Sequence, residues 1–202
     1  MVKIKVCGIT NQEDALKAVY YGAWALGFVF CKKSPRYISP SRAKKIIEAL
    51  PPFVTPVGVF VNHNVRAVKD VCQFAGIQTI QLHGDEQPID CHRLRDYKLI
   101  KAFRVSNTFD FSEIGKYRVS AYLFDTYVEN QEGGTGQSFN WDVLKDKKFD
   151  RPFILAGGLN VENIRQAIDT VVPFAVDVSS GLEKAPGIKD HGRIREFFLA
   201  LK

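Results

Sequence analysis

Residues 2–10, VKIKVCGIT, contain the first β-strand that the sequence predicts and the loop after it, and they introduce a pattern that the rest of the chain repeats. The predicted strand ends at Cys7, and Gly8 marks the start of a loop. Thr10 and Glu13 have the spacing of a helix capping box. Parallel α/β proteins place their functional groups where strands end. The stretch therefore predicts a strand–helix unit with a thiol at its functional end.

The same strand-then-helix pattern recurs along the whole chain. Strands are predicted at residues 2–7, 24–30, 56–61, 79–82, 99–103, 121–125, 152–155 and 174–178. Helices are predicted at residues 13–21, 40–50, 65–74, 88–95, 107–116, 141–144, 161–169 and 190–201. Ser39 and Asn160 are the predicted N-caps of the helices that follow them.

Strands that alternate with helices imply a parallel sheet with right-handed crossovers. Eight such units in 202 residues predict an α/β protein with a (β/α)8 TIM barrel, in which residues 1–202 form a single domain. A doubly wound open sheet is the alternative fold. It lacks its usual signature here, because no G-x-G-x-x-G motif follows the first strand.

The composition is that of an ordinary soluble globular protein, with 46% hydrophobic and 25% charged residues. The amino-terminal residues lack a signal-peptide pattern and no apolar run approaches the length of a membrane span, so we expect no membrane partner. The four cysteines form no C-x-x-C pair, which predicts reduced thiols in a cytoplasmic protein. Lysines and arginines are scattered despite the net charge of +6, so we expect no nucleic-acid partner.

Residues that could catalyse a reaction or bind a ligand follow six of the predicted strands. They lie at the carboxyl ends of these strands, where the active site of a (β/α)8 barrel forms. They are Cys7, Arg36, His83, Asp125, the pair Gly157 and Gly158, and the run Ser179, Ser180 and Gly181. The last two groups follow strands seven and eight, where backbone N–H groups and helix N-termini often hold phosphate. Either group alone could be a simple turn, but together they predict a phosphate site.

A thiol and a carboxylate are the candidate acid and base. Asp125 could act as a general acid at the barrel mouth, or it could only close a turn. Cys7 alternates with Lys5, which places Lys5 inside the barrel, and Asp177 on the neighbouring eighth strand is its expected partner. We expect this cation to lower the pKa of the Cys7 thiol from its usual value of about 8.5. The alternative for Cys7 is a buried, inert cysteine.

Two further residues could contact a ligand. Arg36 is either a solvated loop charge or a fork for a substrate carboxylate. His83 could contact substrate or only cap the end of the fourth strand. His63, His92 and His191 are isolated, and no group of His, Cys and Asp has the spacing of metal ligands, so we expect neither a metal nor a cofactor.

Nine short motifs spread over the chain resemble those of the phosphoribosylanthranilate isomerases, tryptophan-pathway members of the ribulose-phosphate-binding barrels. They are KVCGIT (5–10), GFVF (27–30), SPRYI (34–38), VGVFVN (57–62), QLHG (81–84), FD (124–125), GGTG (133–136), AGGLN (156–160) and AVDVSSG (175–181). The first and last motifs are the most specific. At the positions that carry function, the sequence does not depart from the family pattern.

The resemblance implies an Amadori rearrangement of N-(5′-phosphoribosyl)anthranilate to the 1-deoxyribulose 5-phosphate amine. Asp125 would be the general acid that opens the ribose ring, and Cys7 the general base that removes the C2′ proton. Arg36 would hold the anthranilate carboxylate, and the glycine–serine loops the phosphate. His83 and Asp177 are expected to contact the substrate. No cofactor is implied, and we expect a monomer or a homodimer.

Two alternatives belong to other functional classes. Another phosphosugar enzyme on the same barrel would be expected to use a catalytic lysine, like indole-glycerol-phosphate synthases, or an aspartate on strand one, like histidine-pathway isomerases. The first strand ends instead at Cys7. A non-catalytic phosphosugar-binding protein would keep the phosphate loops without needing both Cys7 and Asp125.

Overall fold

Eight parallel strands, paired in chain order, close into a barrel in a computed structural model that describes residues 2–126 and 141–201. The strands are β1 (Lys3–Cys7), β2 (Ala25–Val29), β3 (Thr55–Phe60), β4 (Thr79–Leu82), β5 (Lys98–Val105), β6 (Ala121–Thr126), β7 (Phe153–Ala156) and β8 (Ala175–Val178). β1 pairs with β8 and closes the ring. The predicted (β/α)8 barrel is therefore confirmed, and the open-sheet alternative is excluded. The GGTG motif at 133–136 lies outside the described residues.

Helices connect the strands on the outside of the barrel. The α-helices are α1 (Gln12–Tyr21), α2 (Pro40–Glu48), α3 (Val65–Ala75), α4 (Pro88–Arg93), α5 (Ile164–Val171) and α6 (His191–Leu199). The segments predicted as helices after β5 and β6 contain only short 3₁₀ turns, at Phe111–Lys116 and Trp141–Val143. In the first of these, Phe111 packs its ring directly on Phe124 of β6, with the ring centroids 5.7 Å apart. Within the described ranges, none of the helices has the length and apolar character needed to cross a bilayer.

At two helices the N-cap lies closer to the carboxyl terminus than the residue that was predicted to cap it. Asn11, not Thr10, caps α1 by accepting a hydrogen bond from the Asp14 N–H at 2.9 Å. The Thr10 hydroxyl donates instead to the carbonyl of Gly187. Asn160 does not cap α5, because its side-chain oxygen accepts the N–H groups of Glu162 and Asn163 and closes a turn before the helix. Ser39 caps α2 as predicted.

A small antiparallel hairpin that the sequence did not predict connects β8 to α6. Its strands are β9 (Glu183–Ala185) and β10 (Ile188–Lys189), joined by a turn in which Gly187 has φ of +79°. A short 3₁₀ turn, Ser180–Leu182, precedes it. The hairpin brings two charged side chains, Glu183 and Lys189, into buried positions at the carboxyl-terminal end of the barrel.

Apolar side chains form two layers, one between the strands and the helices and one inside the barrel. On β1, Ile4 and Val6 belong to the outer layer, and Lys5 points into the barrel. Lys5 lies in register with Asp177 of β8, and its ammonium donates to a carboxylate oxygen of Asp177 at 2.8 Å. Both side chains are buried. The predicted partnership of these two residues is confirmed.

Lys5→Met should reduce the free energy of unfolding by about 3–5 kcal/mol, because it leaves the Asp177 carboxylate buried without its ion-pair partner. Urea unfolding followed by far-UV circular dichroism measures the loss. Lys148→Met, which removes an exposed lysine, is the matched control and should change stability by less than about 0.5 kcal/mol. A loss below about 1 kcal/mol for Lys5→Met would show that the pair behaves like a surface ion pair.

Candidate active site

A cavity of about 490 Å³ opens at the carboxyl ends of the strands, and we call it the rim cavity. Nine of the ten predicted site residues line it: Cys7, Arg36, His83, Asp125, Gly157, Gly158, Asp177, Ser179 and Ser180. Gly181 is not among the lining residues. The ends of β1, β2, β4, β6, β7 and β8 thus contribute to one site, as the barrel topology requires.

The Cys7 thiol lies in a buried position above Lys5. A Cβ atom at Gly27 of β2 would lie 2.6 Å from Cys7 Sγ and 3.1 Å from Lys5 Nζ, so only glycine leaves room for both groups. Burial raises the pKa of the Cys7 thiol, and this outweighs the opposite effect of the Lys5 ammonium. The effect of the cation is as expected, but the prediction of a lowered thiol pKa was wrong, because it left out the burial of Cys7.

The Lys5 ammonium stays charged inside the barrel. Burial alone would lower its pKa, but attraction to Asp177 and to Cys7 raises the pKa above the usual value. The other carboxylate oxygen of Asp177, Oδ1, is buried and has no hydrogen-bond partner among the described residues. Asp177 lines the rim cavity, so this unpartnered oxygen belongs to a side chain at the cavity floor.

Asp125 is the second-last residue of β6 and contacts His83 after β4, which in turn contacts Gln81 of β4. His83 Nε2 lies 3.0 Å from Asp125 Oδ2, and Gln81 Nε2 lies 2.8 Å from His83 Nδ1. With the Gln81 amide donating to Nδ1, the proton of a neutral His83 is on Nε2 and is donated to Asp125. His83 therefore contacts the candidate acid directly, a role that the sequence did not predict.

Gln81 is a site residue that the sequence analysis missed. Its side chain is buried at the cavity floor, where its oxygen Oε1 has no partner in the part of the chain that the structure describes. Gln81 alternates with Thr79 on β4, so a count of inward-facing positions could have identified it. Together with Asp177, it offers the cavity two unused acceptors for hydroxyl groups.

Arg36 lines the rim cavity but its guanidinium is already partly occupied. Its Nε and Nη2 form a bidentate pair with the Glu183 carboxylate, with Nη2–Oε2 at 2.6 Å. The hydrogen bonds from Arg36 to Glu183 raise the pKa of Arg36. Only one edge of the guanidinium therefore remains free to bind a substrate carboxylate, and not the whole group as expected. No short motif in the sequence marks Glu183, because it reaches Arg36 only through the unpredicted hairpin.

The loops after β7 and β8 lie beside the end of β1, and the first of them contains two glycines with positive φ. Gly157 and Gly158 have φ of +91° and +62°, which places them in the left-handed region that glycine tolerates. The Ser179 hydroxyl donates to the Cys7 carbonyl at 3.1 Å and so joins this region to the end of β1.

Gly181 has a structural role here, and its predicted contact with a ligand stays a prediction. A Cβ atom at this position would lie 2.0 Å from the carbonyl oxygen of Leu159, so glycine is needed where the loop after β8 crosses the loop after β7. Gly181 therefore brings the two candidate phosphate loops together without lining the rim cavity.

Candidate metal ligands do not cluster within the described parts of the chain. There, no group of three or more His, Cys, Asp and Glu side chains is arranged to hold a metal ion. The four cysteines, Cys7, Cys31, Cys72 and Cys91, are free thiols.

A family model described as N-(5′-phosphoribosyl)anthranilate (PRA) isomerase matches residues 4–200. The N-(5′-phosphoribosyl)anthranilate isomerase of Geobacter sulfurreducens is 50% identical over 202 residues, which cover 100% of this chain and 99% of that protein. The protein of the same name from Thermotoga neapolitana is 49% identical over 204 residues, with 100% and 99% coverage.

Solved structures give the same result. The phosphoribosyl anthranilate isomerase of Thermotoga maritima has a TM-score of 0.91 at 48% identity, covering 99% of this chain and 98% of that one. A phosphoribosyl anthranilate isomerase in complex with reduced 1-(o-carboxyphenylamino)-1-deoxyribulose 5-phosphate has a TM-score of 0.87 at 46% identity, covering 98% and 97%.

Proposed function

The chain belongs to the N-(5′-phosphoribosyl)anthranilate isomerase family, and from this premise we propose that Cys7 and Asp125 are the base and the acid of its reaction. It is an isomerase of tryptophan biosynthesis, converting N-(5′-phosphoribosyl)anthranilate to 1-(2-carboxyphenylamino)-1-deoxy-D-ribulose 5-phosphate. The observation that supports the residue assignment is that a thiol and a carboxyl group line the same cavity from non-adjacent strands, β1 and β6.

Asp125 performs the first step in this proposal. As a carboxylic acid it gives its proton to the ring oxygen of the ribose, the C1′–O bond breaks, and the anthranilate nitrogen supplies the electron pair of the new C=N bond. The product is an open-chain Schiff base. His83 Nε2, at 3.0 Å, holds the resulting carboxylate by donating a hydrogen bond to it.

Cys7 performs the second step as a thiolate. It removes the C2′ proton of the Schiff base, and the electrons of that C–H bond form the C1′=C2′ bond of an enolamine, which then tautomerises to the ketone. The neighbouring Lys5 ammonium stabilises the thiolate while it exists. Cys7 acts only on a proton, so no covalent intermediate with substrate forms.

The remaining cavity residues fit the substrate's other groups. Gly158, Ser179 and Ser180 offer backbone N–H donors to the phosphate, and Ser180 also offers its hydroxyl. The free edge of Arg36 takes the anthranilate carboxylate. Asp177 Oδ1 and Gln81 Oε1 accept hydrogen bonds from ribose hydroxyls, which would satisfy two buried acceptors that otherwise lack partners among the described residues.

Arg36→Met should raise KM for phosphoribosylanthranilate by about tenfold or more with little change in kcat, because it removes a charge-assisted contact made in both ground and transition states. Decay of the substrate's anthranilate fluorescence measures both constants. An unchanged KM would mean that another residue holds the carboxylate.

The same fluorescence assay tests the function itself against a non-catalytic binding protein. The purified protein should convert phosphoribosylanthranilate with a rate proportional to protein concentration. A protein that only binds the phosphosugar would leave the total substrate unchanged after denaturation and extraction.

We also propose that the enzyme works in the cytoplasm as a monomer or homodimer. Four free thiols support a reducing compartment. A structurally similar chain is described as a monomer generated from the dimeric isomerase of Thermotoga maritima, which is precedent for both assembly states. Size-exclusion chromatography with light scattering distinguishes them.

A further inference from the structure

We propose that Glu183 is a positioning residue that turns the free edge of the Arg36 guanidinium toward the substrate's carboxylate, and that Lys189 holds Glu183 in place. This inference rests on the proposed role of Arg36 in substrate binding. The inference adds a source of substrate specificity to the role of Arg36. Recognition of the carboxylate then depends also on Glu183 and Lys189, which do not contact substrate.

The contact between Arg36 and Glu183 fixes one edge of the guanidinium. Arg36 Nε lies 2.9 Å from Glu183 Oε1 and 3.1 Å from Oε2, and Nη2 lies 2.6 Å from Oε2. A guanidinium has a second bidentate edge, formed by Nη1 and Nη2. Among the described residues no hydrogen bond involves Nη1, so this second edge is the one available to a ligand in the rim cavity.

The backbone beneath Arg36 allows this arrangement. Gly8 has φ of +79°, and a Cβ atom there would lie 2.7 Å from Arg36 Cδ. The aliphatic part of the Arg36 side chain therefore lies directly over the loop that follows β1. Arg36 is consequently positioned at two points, its aliphatic part over this loop and its guanidinium beside the Glu183 carboxylate.

Lys189 fixes Glu183 from the interior. Its side chain is fully buried, and its ammonium donates to Glu183 Oε1 at 2.9 Å, to the Cys7 carbonyl at 2.6 Å and to the Ser179 carbonyl at 3.1 Å. The Gly187 N–H also donates to Glu183 Oε1, at 3.3 Å. All three ammonium protons are used, so Lys189 ties the hairpin to the ends of β1 and β8.

The charges of the three residues explain why a carboxylate is needed at position 183. Burial alone would raise the pKa of Glu183, but hydrogen bonds from Arg36 and Lys189 more than compensate and lower that pKa below its usual value. Glu183 is therefore ionised between two cations. Without it, Arg36 and Lys189 would repel one another, and the arginine would be free to adopt other rotamers.

Two substrates that differ by one carboxylate test the inference. They are phosphoribosylanthranilate and its analogue made with aniline, with product followed by liquid chromatography. Glu183→Gln keeps the side-chain shape and should lower kcat/KM about tenfold for phosphoribosylanthranilate, mainly through KM. For the aniline analogue, the same variant should change kcat/KM less than twofold. Lys184→Gln, an exposed charge change on the same hairpin, should leave both substrates unaffected.

Three results separate the possible failures. Equal losses of kcat/KM for both substrates, or no loss for either, in Glu183→Gln would overturn the positioning role. The inhibition constant of ribulose 5-phosphate should stay within twofold of the wild-type value, and a larger change would mean that the variant disturbs the whole site. If Arg36→Met also fails to discriminate between the two substrates, the proposed role of Arg36 is wrong and the inference fails with it.

Discussion

Asp125→Asn should lower kcat by about 10²–10⁴-fold, the range that one positioned general acid contributes. Asparagine has the same shape and can still accept the hydrogen bond from His83, so the site geometry is retained. Its amide, however, has no proton acidic enough to transfer to the ribose ring oxygen. Steady-state fluorescence assays at saturating substrate measure the loss directly.

The size of this effect depends on the fold remaining intact. Asp96→Asn changes an exposed carboxylate in the same way and should retain wild-type kcat. Circular dichroism spectra of both variants should match that of the wild-type protein. A kcat within threefold of wild type in Asp125→Asn would remove Asp125 from the mechanism.

Cys7→Ser should have an effect of similar size, about 10²–10⁴-fold on kcat, because a serine hydroxyl is far less acidic than a thiol and cannot serve as the base. Cys72→Ala is the control, since burial raises the pKa of the Cys72 thiol to about 12 and this helix residue does not line the rim cavity. It should keep wild-type kcat even if it is less stable. Wild-type turnover in Cys7→Ser would show that another group takes the C2′ proton.

The pH dependence gives Cys7 a second signature. Burial raises the pKa of this thiol, so at neutral pH the free enzyme holds it mostly in the protonated form. The wild-type reaction needs a protonated acid and a thiolate together, so the thiol is best followed in Asp125→Asn, whose residual activity needs only the thiolate. In that variant kcat/KM should increase with pH below the thiol pKa, by about tenfold per pH unit. The increase should be absent when Cys7→Ser is added, and an Asp125→Asn profile that falls across this range would contradict the assignment of Cys7.

The barrel and the residues at its rim could be predicted because they depend on local pattern and on one topological rule. Alternation along β1 places Lys5 inside the barrel, and closure of the ring places it beside Asp177. Strand ends converge in a parallel barrel, so Cys7 and Asp125 had to line the same mouth. These conclusions need only the period of the strands and the order of the elements.

Other features of the site depend on distances between side chains, which the sequence pattern does not give. The pKa of Cys7 is set by a competition between burial and Lys5, and its sign follows only when both are known. Glu183 reaches Arg36 across 147 positions of sequence through a hairpin whose strands have only three and two residues. The contact of His83 with Asp125 likewise requires the two side chains to meet above non-adjacent strands.

The closure of the barrel between its first and last strands has a consequence for synthesis of the chain. β1, which carries Cys7, is made first, whereas its neighbour β8 is made last, and the Lys5–Asp177 bond joins residues 172 apart. During translation the thiol therefore lacks the enclosure that suppresses its ionisation in the finished enzyme. A ribosome-bound chain would carry an ordinary, oxidisable cysteine in β1, and release of the carboxyl-terminal strand and hairpin would convert it into the shielded thiol that we propose as the base.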